Sequence, residues 1–224
     1  MADSPNPNWK PKEKFQVPFD EMQSLDCKQL ETSEIYKILI GTVLPRPIAL
    51  VSTVNASGLG NLAPFSFFNA VSSKPPALMI AVGNKVVEEK DTAKNINETK
   101  EFVINIASEW LIEPLVYTAG NFPYGVNEME EAGFTPLKSE LVRPPRVKES
   151  PVQFECKLMQ SVKLGEDSIG STTLFIGEIL KIHIAKNAYE NGKINFDKIK
   201  SIGRLGGYQY CSIKNIFELR PPKL

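Results

Sequence analysis

Small hydroxyl and amide side chains stand among strand-forming residues in the stretch "PRPIALVSTVNASGLGNLAPFSFFNAVS", residues 45 to 72. The polar members are Ser52, Thr53, Ser66 and Asn69, which a strand pair does not need for its core. Hydroxyl and amide groups hydrogen-bond to phosphate oxygens and polyol hydroxyls. The run "PFSFF" adds a flat apolar surface suited to a ring. These residues indicate a cradle for a ligand that carries both a phosphate and a ring.

A second polar cluster occurs in "EKDTAKN", residues 89 to 95. Asp91 or Thr92 is expected to cap the helix that follows, and Lys90 lies just before it. An ammonium group, a hydroxyl and the unpaired N–H groups of a helix start together suit a phosphate. The alternative is an ordinary helix start with an exposed lysine, which this segment alone favours. Considered with the first cluster, the phosphate interpretation becomes the stronger one.

Other familiar kinds of active site are not indicated. One histidine cannot build a His-rich metal site, and no HExxH, GxSxG, GxxxxGK[ST] or GxGxxG motif occurs. His183 alternates onto the face opposite Ile182 and Ile184, which predicts a solvated or interface histidine rather than a catalytic base. The segment "GRLGG", residues 203 to 207, is either a structural turn or a place where backbone approaches a ligand. No metal site is expected, and the catalytic side chains are unknown.

Charge and cysteine content exclude several classes of partner. Lys plus Arg and Asp plus Glu each number 26, so no net field favours nucleic acid or an anionic membrane. The three cysteines include no CxxC pair, which argues against a disulfide framework and predicts a reducing cytoplasm. No secretory signal and no membrane-spanning segment are predicted.

The elements that must position these residues are mostly strands. Residues 1–30 are rich in proline and predict an extended arm, followed by one domain over residues 31–224. A short helix from Ser33 to Gly41 precedes a hairpin that turns at "NASGLG", and a second helix runs from Asp91 to about Lys100. Strict alternation from Val152 predicts a half-exposed strand, and "YQYCSIKNIFEL" predicts a closing strand. Many strands with short helices indicate a mainly β protein, an antiparallel barrel or sandwich.

The order of these motifs resembles that of a known family. "PRPIALVST", "NLAPFSFFN", "KDTAKNI", "EFVIN", "GEILKIHI" and "GRLGGYQY" follow one another as in the flavin reductase-like family of FMN-binding split-barrel proteins, from about Val43 to Phe217. The resemblance implies an antiparallel Greek-key split barrel with short peripheral helices. It also implies a homodimer with FMN near the subunit interface and NADH or NADPH as the electron donor.

The resemblance further implies roles for individual residues. Ser52 and Thr53 would lie on the ribityl and phosphate side, and Lys90 with Thr92 would meet the phosphate. The ring and chain would follow β-strand residues Ala63, Pro64, Phe65, Ser66 and Asn69. Arg46, Asn105 and Arg204 also fall within family motifs and are predicted to bind the cofactor.

The resemblance leaves the type of activity open. The family includes reductases that release reduced flavin and electron-transfer proteins that keep FMN without using NAD(P)H, and a downstream electron acceptor is a further possible partner. A non-catalytic split-barrel binding module is the alternative outside this chemistry. In either flavin case the cofactor carries the hydride, and the protein supplies binding and orientation.

Overall fold

The structure is a computed structural model that describes residues 4–15, 17–84, 89–123, 125–166 and 168–222. Two 3₁₀ helices lie at Glu109–Leu111 and Lys186–Ala188. The helices are α1 Thr32–Thr42, α2 Asp91–Thr99, α3 Ile112–Tyr117, α4 Glu128–Glu131 and α5 Phe196–Ile199. The strands are β1 Arg46–Pro47, β2 Ala49–Val54, β3 Gly60–Phe65, β4 Phe68–Ser73, β5 Pro76–Gly83, β6 Glu101–Ile106, β7 Pro136–Leu137, β8 Arg146–Val147, β9 Val152–Leu164, β10 Thr172–Ile184, β11 Tyr189–Glu190, β12 Lys193–Ile194, β13 Ile202–Arg204 and β14 Tyr210–Ser212.

The main sheet has seven strands in the order β3-β2-β6-β9-β10-β5-β4, and every neighbouring pair is antiparallel. In a flat sheet its two edge strands would stand about 29 Å apart, at about 4.8 Å for each strand spacing. Those edges are β3 and β4, which are consecutive in the chain and separated only by Ser66 and Phe67. Such a link spans at most about 11 Å. The sheet must therefore curl until its edges approach each other, as in a barrel that is not fully hydrogen-bonded shut.

The interior of this curled sheet is one apolar core. All seven strands contribute to it, and Ala93 and Ile96 of α2 pack against the same cluster. A second cluster lies on the outer side, where Leu50 of β2 meets Leu111, Leu115 and Met129. Because both of its faces are covered, β2 is buried along its whole length. The sheet thus holds the polar side chains of β2 and β3 inside a rigid framework.

Two predicted helices form, the first from one residue earlier than expected and the second from Asp91 as expected. The first predicted helix forms, but it begins at Thr32 with Glu31 as its N-cap, and Glu31 and Glu34 form a reciprocal capping box. The second helix begins at Asp91, and its N-cap is Lys90, whose side chain makes no capping hydrogen bond. The prediction that Asp91 or Thr92 would cap this helix was therefore wrong.

Two strand predictions also need correction. The strand from Val152 was predicted to be half exposed, yet Gln153 and Glu155 on its polar face are both buried, because the segment of residues 138–147 packs over them through hydrogen bonds. The closing strand is shorter than predicted and covers only Tyr210–Ser212.

A small three-stranded sheet stands beside the main one, in the order β1-β13-β14. Its register places Arg46 directly opposite Arg204 and Pro47 opposite Gly203. This sheet joins the start of β2 to the "GRLGG" turn. Residues 4–15 and 17–31 contain no helix or strand, and the division into an arm and a domain stays a prediction.

Candidate functional site

A cleft with two ends follows strand β3. Both ends share Pro64, Phe65 and Ala119 in their lining. The lysine end is further lined by Asn61, Ala63, Lys90, Asp91, Thr92, Thr118, Gly120, Asn121, Phe122 and Glu128. The arginine end is further lined by Tyr36, Ile40, Arg46, Ile48, Ser66, Leu115, Arg204, Gly207 and Tyr210. The shared residues make the two ends one continuous candidate site.

The lysine end combines a cation with a helix N-terminus. Helix α2 begins here, and its first N–H groups have no acceptor within the helix. The Nζ atom of Lys90 lies 5.6 Å from the centre of the Phe65 ring, so the ammonium group stands beside the apolar wall of the cleft. Asp91 and Glu128 also line this end, and Glu128 accepts a hydrogen bond of 2.8 Å from the Leu62 N–H.

A buried polar network supports the lysine end from behind. The Asn61 amide donates to the hydroxyls of Thr53 and Thr92 at 3.2 and 3.0 Å, and the Asn95 amide donates to Thr53 at 3.0 Å. A hydroxyl that accepts a hydrogen bond still has a proton to donate. Thr53 does not line the cleft but holds Asn61, which does, whereas Thr92 lines the cleft itself.

The arginine end holds two guanidinium groups. Arg46 is only 5% exposed and donates to the carbonyls of Ile40, Val43 and Leu205 at 2.7, 3.2 and 2.9 Å. It also donates to the Ser66 hydroxyl at 3.3 Å. Burial lowers the pKa of Arg46, Tyr36 opposes that shift, and the positive charge of Arg204 lowers the pKa further.

Arg204 is held by the turn that follows it. Its guanidinium lies 4.4 Å from the centre of the Tyr210 ring, donates to the Tyr210 hydroxyl and donates to the Gly207 carbonyl at 2.6 Å. Gly207 has a φ of 55°, which a glycine adopts without strain. The "GRLGG" turn therefore positions a cation at the cleft, and a close approach of its backbone to a ligand stays a prediction.

Most of the predicted site residues line this cleft. They are Arg46, Ala63, Pro64, Phe65, Ser66, Lys90, Thr92 and Arg204. Their contacts with a cofactor stay predictions.

Four predicted residues are not among the lining residues, and one of them is Thr53, which accepts hydrogen bonds from Asn61 and Asn95 behind the cleft. Ser52 is fully buried and donates to the Pro145 carbonyl. Asn105 is also fully buried, where it donates to Leu50 O at 3.0 Å and accepts from the Val147 N–H at 2.8 Å. Asn69 is exposed on β4 and accepts from the Ala70 N–H at 2.9 Å. These contacts give Ser52 and Asn105 structural tasks that sequence order did not reveal.

Sequence reasoning missed several lining residues. Tyr36 and Tyr210 come from separate parts of the chain, and only the packing of α1 against the β13–β14 turn brings them together. Asn61 could have been found, because it directly precedes the "LAPFSFF" run and is an amide on a strand otherwise rich in apolar residues.

His183 does not belong to the cleft and is not a solvated histidine. Its Nε2 lies 2.7 Å from the Oε1 atom of Glu155, whose side chain is fully buried. Burial alone would raise the pKa of Glu155, but hydrogen bonds from the Glu140 and Leu141 N–H groups and from His183 outweigh it, so the pKa is lowered. This pair fastens the segment of residues 138–147 to the sheet.

Two other features are absent from the part of the chain that the structure describes. No group of three or more His, Cys, Asp or Glu side chains is placed to hold a metal ion in that part of the chain. Among the helices described, none is long and apolar enough to span a membrane.

Comparison with known proteins agrees with this architecture. The sequence profile of the flavin reductase like domain matches residues 40–202. The structure of nitrilotriacetate monooxygenase component B from Bacillus cereus is 37% identical, with a TM-score of 0.86 over 90% of this chain and 100% of that chain. The structure of 2-nitrobenzoate 2-nitroreductase NbaA from Pseudomonas fluorescens is 32% identical, with a TM-score of 0.80 over 89% of this chain and 96% of that chain.

A more distant structure supports the fold alone. It is a protein with a split barrel domain from Shewanella frigidimarina, 23% identical, with a TM-score of 0.76 over 87% of this chain and 96% of that chain. The predicted mainly β, antiparallel split barrel with short helices is confirmed.

Proposed function

Because the chain belongs to the flavin reductase-like family, we propose that it is a cytoplasmic, homodimeric FMN-binding oxidoreductase. Its electron donor in this proposal is NADH or NADPH, which reduces the flavin. The reduced flavin then passes its electrons to an acceptor. The two similar proteins named above, a monooxygenase component and a nitroreductase, support a redox function of this kind.

The arrangement of the cleft carries the proposal. One end offers Lys90 and the N-terminus of α2, and the shared middle offers the apolar walls of Pro64 and Phe65. FMN has one terminal phosphate and one flat ring, so its two parts fit this sequence of surfaces. FMN, unlike FAD, needs neither a second phosphate site nor an adenosine pocket, and this favours FMN over FAD.

The protein residues have binding and orienting roles in this proposal. Lys90, the Thr92 hydroxyl and the first N–H groups of α2 would hold the phosphate. Pro64 and Phe65 would face the ring and keep water from that side. When bound, the flavin supplies the hydride chemistry. A protein acid–base pair is therefore not required, and none is assigned.

The test is direct titration followed by reduction. The purified protein should bind FMN more tightly than FAD, and NADH or NADPH should bleach the bound flavin under anaerobic conditions. Equal or tighter FAD binding would contradict the FMN assignment. If FMN binds but neither nucleotide bleaches it, the protein is an FMN-carrying electron-transfer protein. If no flavin binds, the non-catalytic module becomes the better interpretation.

A further inference from the structure

Two like charges face each other at the arginine end of the cleft. Arg46 on β1 and Arg204 on β13 are register partners in an antiparallel pair. Side chains at such positions lie on the same face of the sheet, with Cβ atoms about 4.5–5.5 Å apart. Like charges directly opposite each other destabilise a strand pair. This arrangement therefore has a cost that other interactions must offset.

The contacts of the two guanidinium groups are to neutral acceptors. Arg46 donates to three carbonyls and one hydroxyl, and Arg204 donates to one carbonyl and one hydroxyl. None of the ion pairs within the described residues joins either arginine to a carboxylate. Burial lowers the pKa of Arg46, and the like charge of Arg204 lowers it further. The described chain thus orients two positive charges without a carboxylate to balance them.

The surroundings of this pair select the kind of anion. Ile40, Ile48 and Leu115 form the apolar part of the lining, and Tyr36 and Tyr210 add aromatic surface. Arg46 and these three apolar residues are buried, so electrostatic attraction on their side of the lining is stronger than at an open surface. A flat ring with a delocalised negative charge suits these walls better than a compact, strongly hydrated phosphate.

We infer that Arg204, oriented by Tyr210 and assisted by the field of Arg46, makes the cleft bind reduced FMN more tightly than oxidised FMN. The inference rests on the proposed function, with the phosphate at the lysine end and the ring at the arginine end. A hydride from the reduced nicotinamide brings two electrons and one proton, so a neutral ring becomes a ring with one negative charge. The nicotinamide leaves oxidised, with one positive charge more.

This preference distinguishes a protein that retains FMN from a reductase that releases reduced flavin. A ligand that binds one of two states more tightly shifts the equilibrium toward that state by the ratio of the affinities. Tighter binding of the reduced form favours a protein that retains FMN and passes its electrons on. A protein built to release reduced flavin would need the opposite ratio.

The experiment compares the dissociation constants of oxidised and dithionite-reduced FMN, measured anaerobically for each variant. The parent protein should favour the reduced form, and Arg204→Gln should lower that preference about tenfold, the effect of one charge-assisted hydrogen bond. For a two-electron couple, tenfold corresponds to about 30 mV in midpoint potential, which gives an independent readout. Arg204→Lys retains the charge and should keep most of the preference.

Lys90→Ala is the matched control. The phosphate has the same charge in both flavin states, so this variant should weaken both affinities equally and leave their ratio unchanged. Circular dichroism checks that each variant is folded. If Arg204→Gln does not fold, Arg204→Lys and Tyr210→Phe, which removes the hydroxyl that orients Arg204, carry the test.

The outcomes separate this inference from the proposed function. A parent protein that binds oxidised FMN as tightly as reduced FMN would overturn the inference while leaving FMN binding intact. The same holds if the ratio is unchanged in Arg204→Gln, or in Tyr210→Phe should Arg204→Gln not fold. A parent protein that binds no FMN would overturn both. A stability loss without a change in the ratio would assign Arg204 to holding the turn only.

Discussion

At the scale of single residues, Lys90 gives the sharpest test of the phosphate site. Lys90→Ala should weaken FMN binding by roughly 1.5–3 kcal/mol, the range for hydrogen bonds to charged groups, which is about tenfold to more than a hundredfold in Kd. Riboflavin lacks the phosphate, so its affinity should hardly change. Isothermal titration of both ligands measures the difference. Unchanged FMN affinity in a folded variant would mean that Lys90 is only an ordinary residue at a helix start.

Asp91 offers a second test at the lysine end, in which the substitution should strengthen FMN binding instead of weakening it. Its carboxylate lines the lysine end beside Lys90, and a negative charge there opposes a bound phosphate. Asp91→Asn should therefore tighten FMN binding several-fold, while it removes a favourable charge from the first turn of α2 and costs about 0.3–1 kcal/mol of stability. FMN and riboflavin titrations separate the two effects. Equal changes in FMN and riboflavin affinity, or no change in either, would contradict a phosphate at this end.

The role of a polar residue could be predicted from the sequence only where its partners in space are also close to it along the chain. Lys90 and Thr92 are adjacent to the helix start that they serve, so their placement at the lysine end could be predicted. Ser52 and Asn105 have the same polar groups, but their partners, Pro145 O and the Val147 N–H, come from a distant segment that covers the sheet. Nothing in the local pattern indicates that covering segment.

At the scale of elements, the segment of residues 138–147 depends on one buried carboxylate. Glu155 accepts hydrogen bonds from the N–H groups of Glu140, Leu141 and Val142 at 2.9, 2.6 and 3.3 Å. Glu155→Gln removes the charge but keeps the shape, and should reduce the free energy of unfolding by roughly 1.5–3 kcal/mol. Glu140→Gln is the control, because the Glu140 side chain is half exposed and its N–H group remains.

The same carboxylate predicts a pH dependence. The pKa of Glu155 is lowered below its ordinary value of 4.5 in the folded protein. The charged form therefore stabilises the fold at pH values above this ordinary value. This contribution is lost as the pH falls through the lowered pKa. The difference in unfolding free energy between the parent and Glu155→Gln, measured by urea denaturation, should shrink from pH 7 toward about pH 3. A difference that is constant with pH would mean that the charge is not the stabilising feature.

Gly177 shows how a long strand fits the curled sheet. It lies in β10, where a Cβ atom would come within 2.3 Å of the Phe102 Cζ atom in the core. Gly177→Ala should therefore destabilise the protein by about 1–3 kcal/mol through overpacking. Gly83→Ala is the matched control, since a Cβ atom there meets no atom of the described residues closer than 3.9 Å. Thermal unfolding of the two variants compares them. Equal effects would mean that the core yields around Phe102.

Alternation predicted the strands, but it predicted neither their order in the sheet nor the segment that packs over the polar face of β9. The period of two in β9 and β10 indicates a strand whatever its neighbours are. Whether the polar face of β9 meets water depends on residues 138–147, which are joined to it by hydrogen bonds and not by periodicity. The barrel closure follows from the short link between β3 and β4 only after the sheet order is known. The family resemblance supplied the split barrel, which propensity could not, and the strand order came from the structure.

At the scale of the whole molecule, we expect the protein to form a homodimer. Apolar side chains are exposed on α1 and at the β3–β4 edge close to the arginine end, among them Tyr36, Leu39, Phe67 and Val71. Covering such surface is a common basis for association between copies of a chain. Sedimentation of the FMN-loaded protein should give about twice the chain mass of 24.9 kDa.

A paired substitution locates the interface. Val71→Glu places a charge on exposed strand β4 and should shift the protein toward monomer and weaken FMN binding, because the arginine end lies beside this surface. Ile169→Glu introduces the same charge at another exposed apolar residue, in the turn between β9 and β10, and should leave both properties unchanged. A stable FMN-loaded monomer of the parent protein would mean that one chain completes the site by itself. Loss of the dimer in Val71→Glu with undiminished FMN affinity would separate association from cofactor binding, and the cleft would then be built by residues of one chain alone.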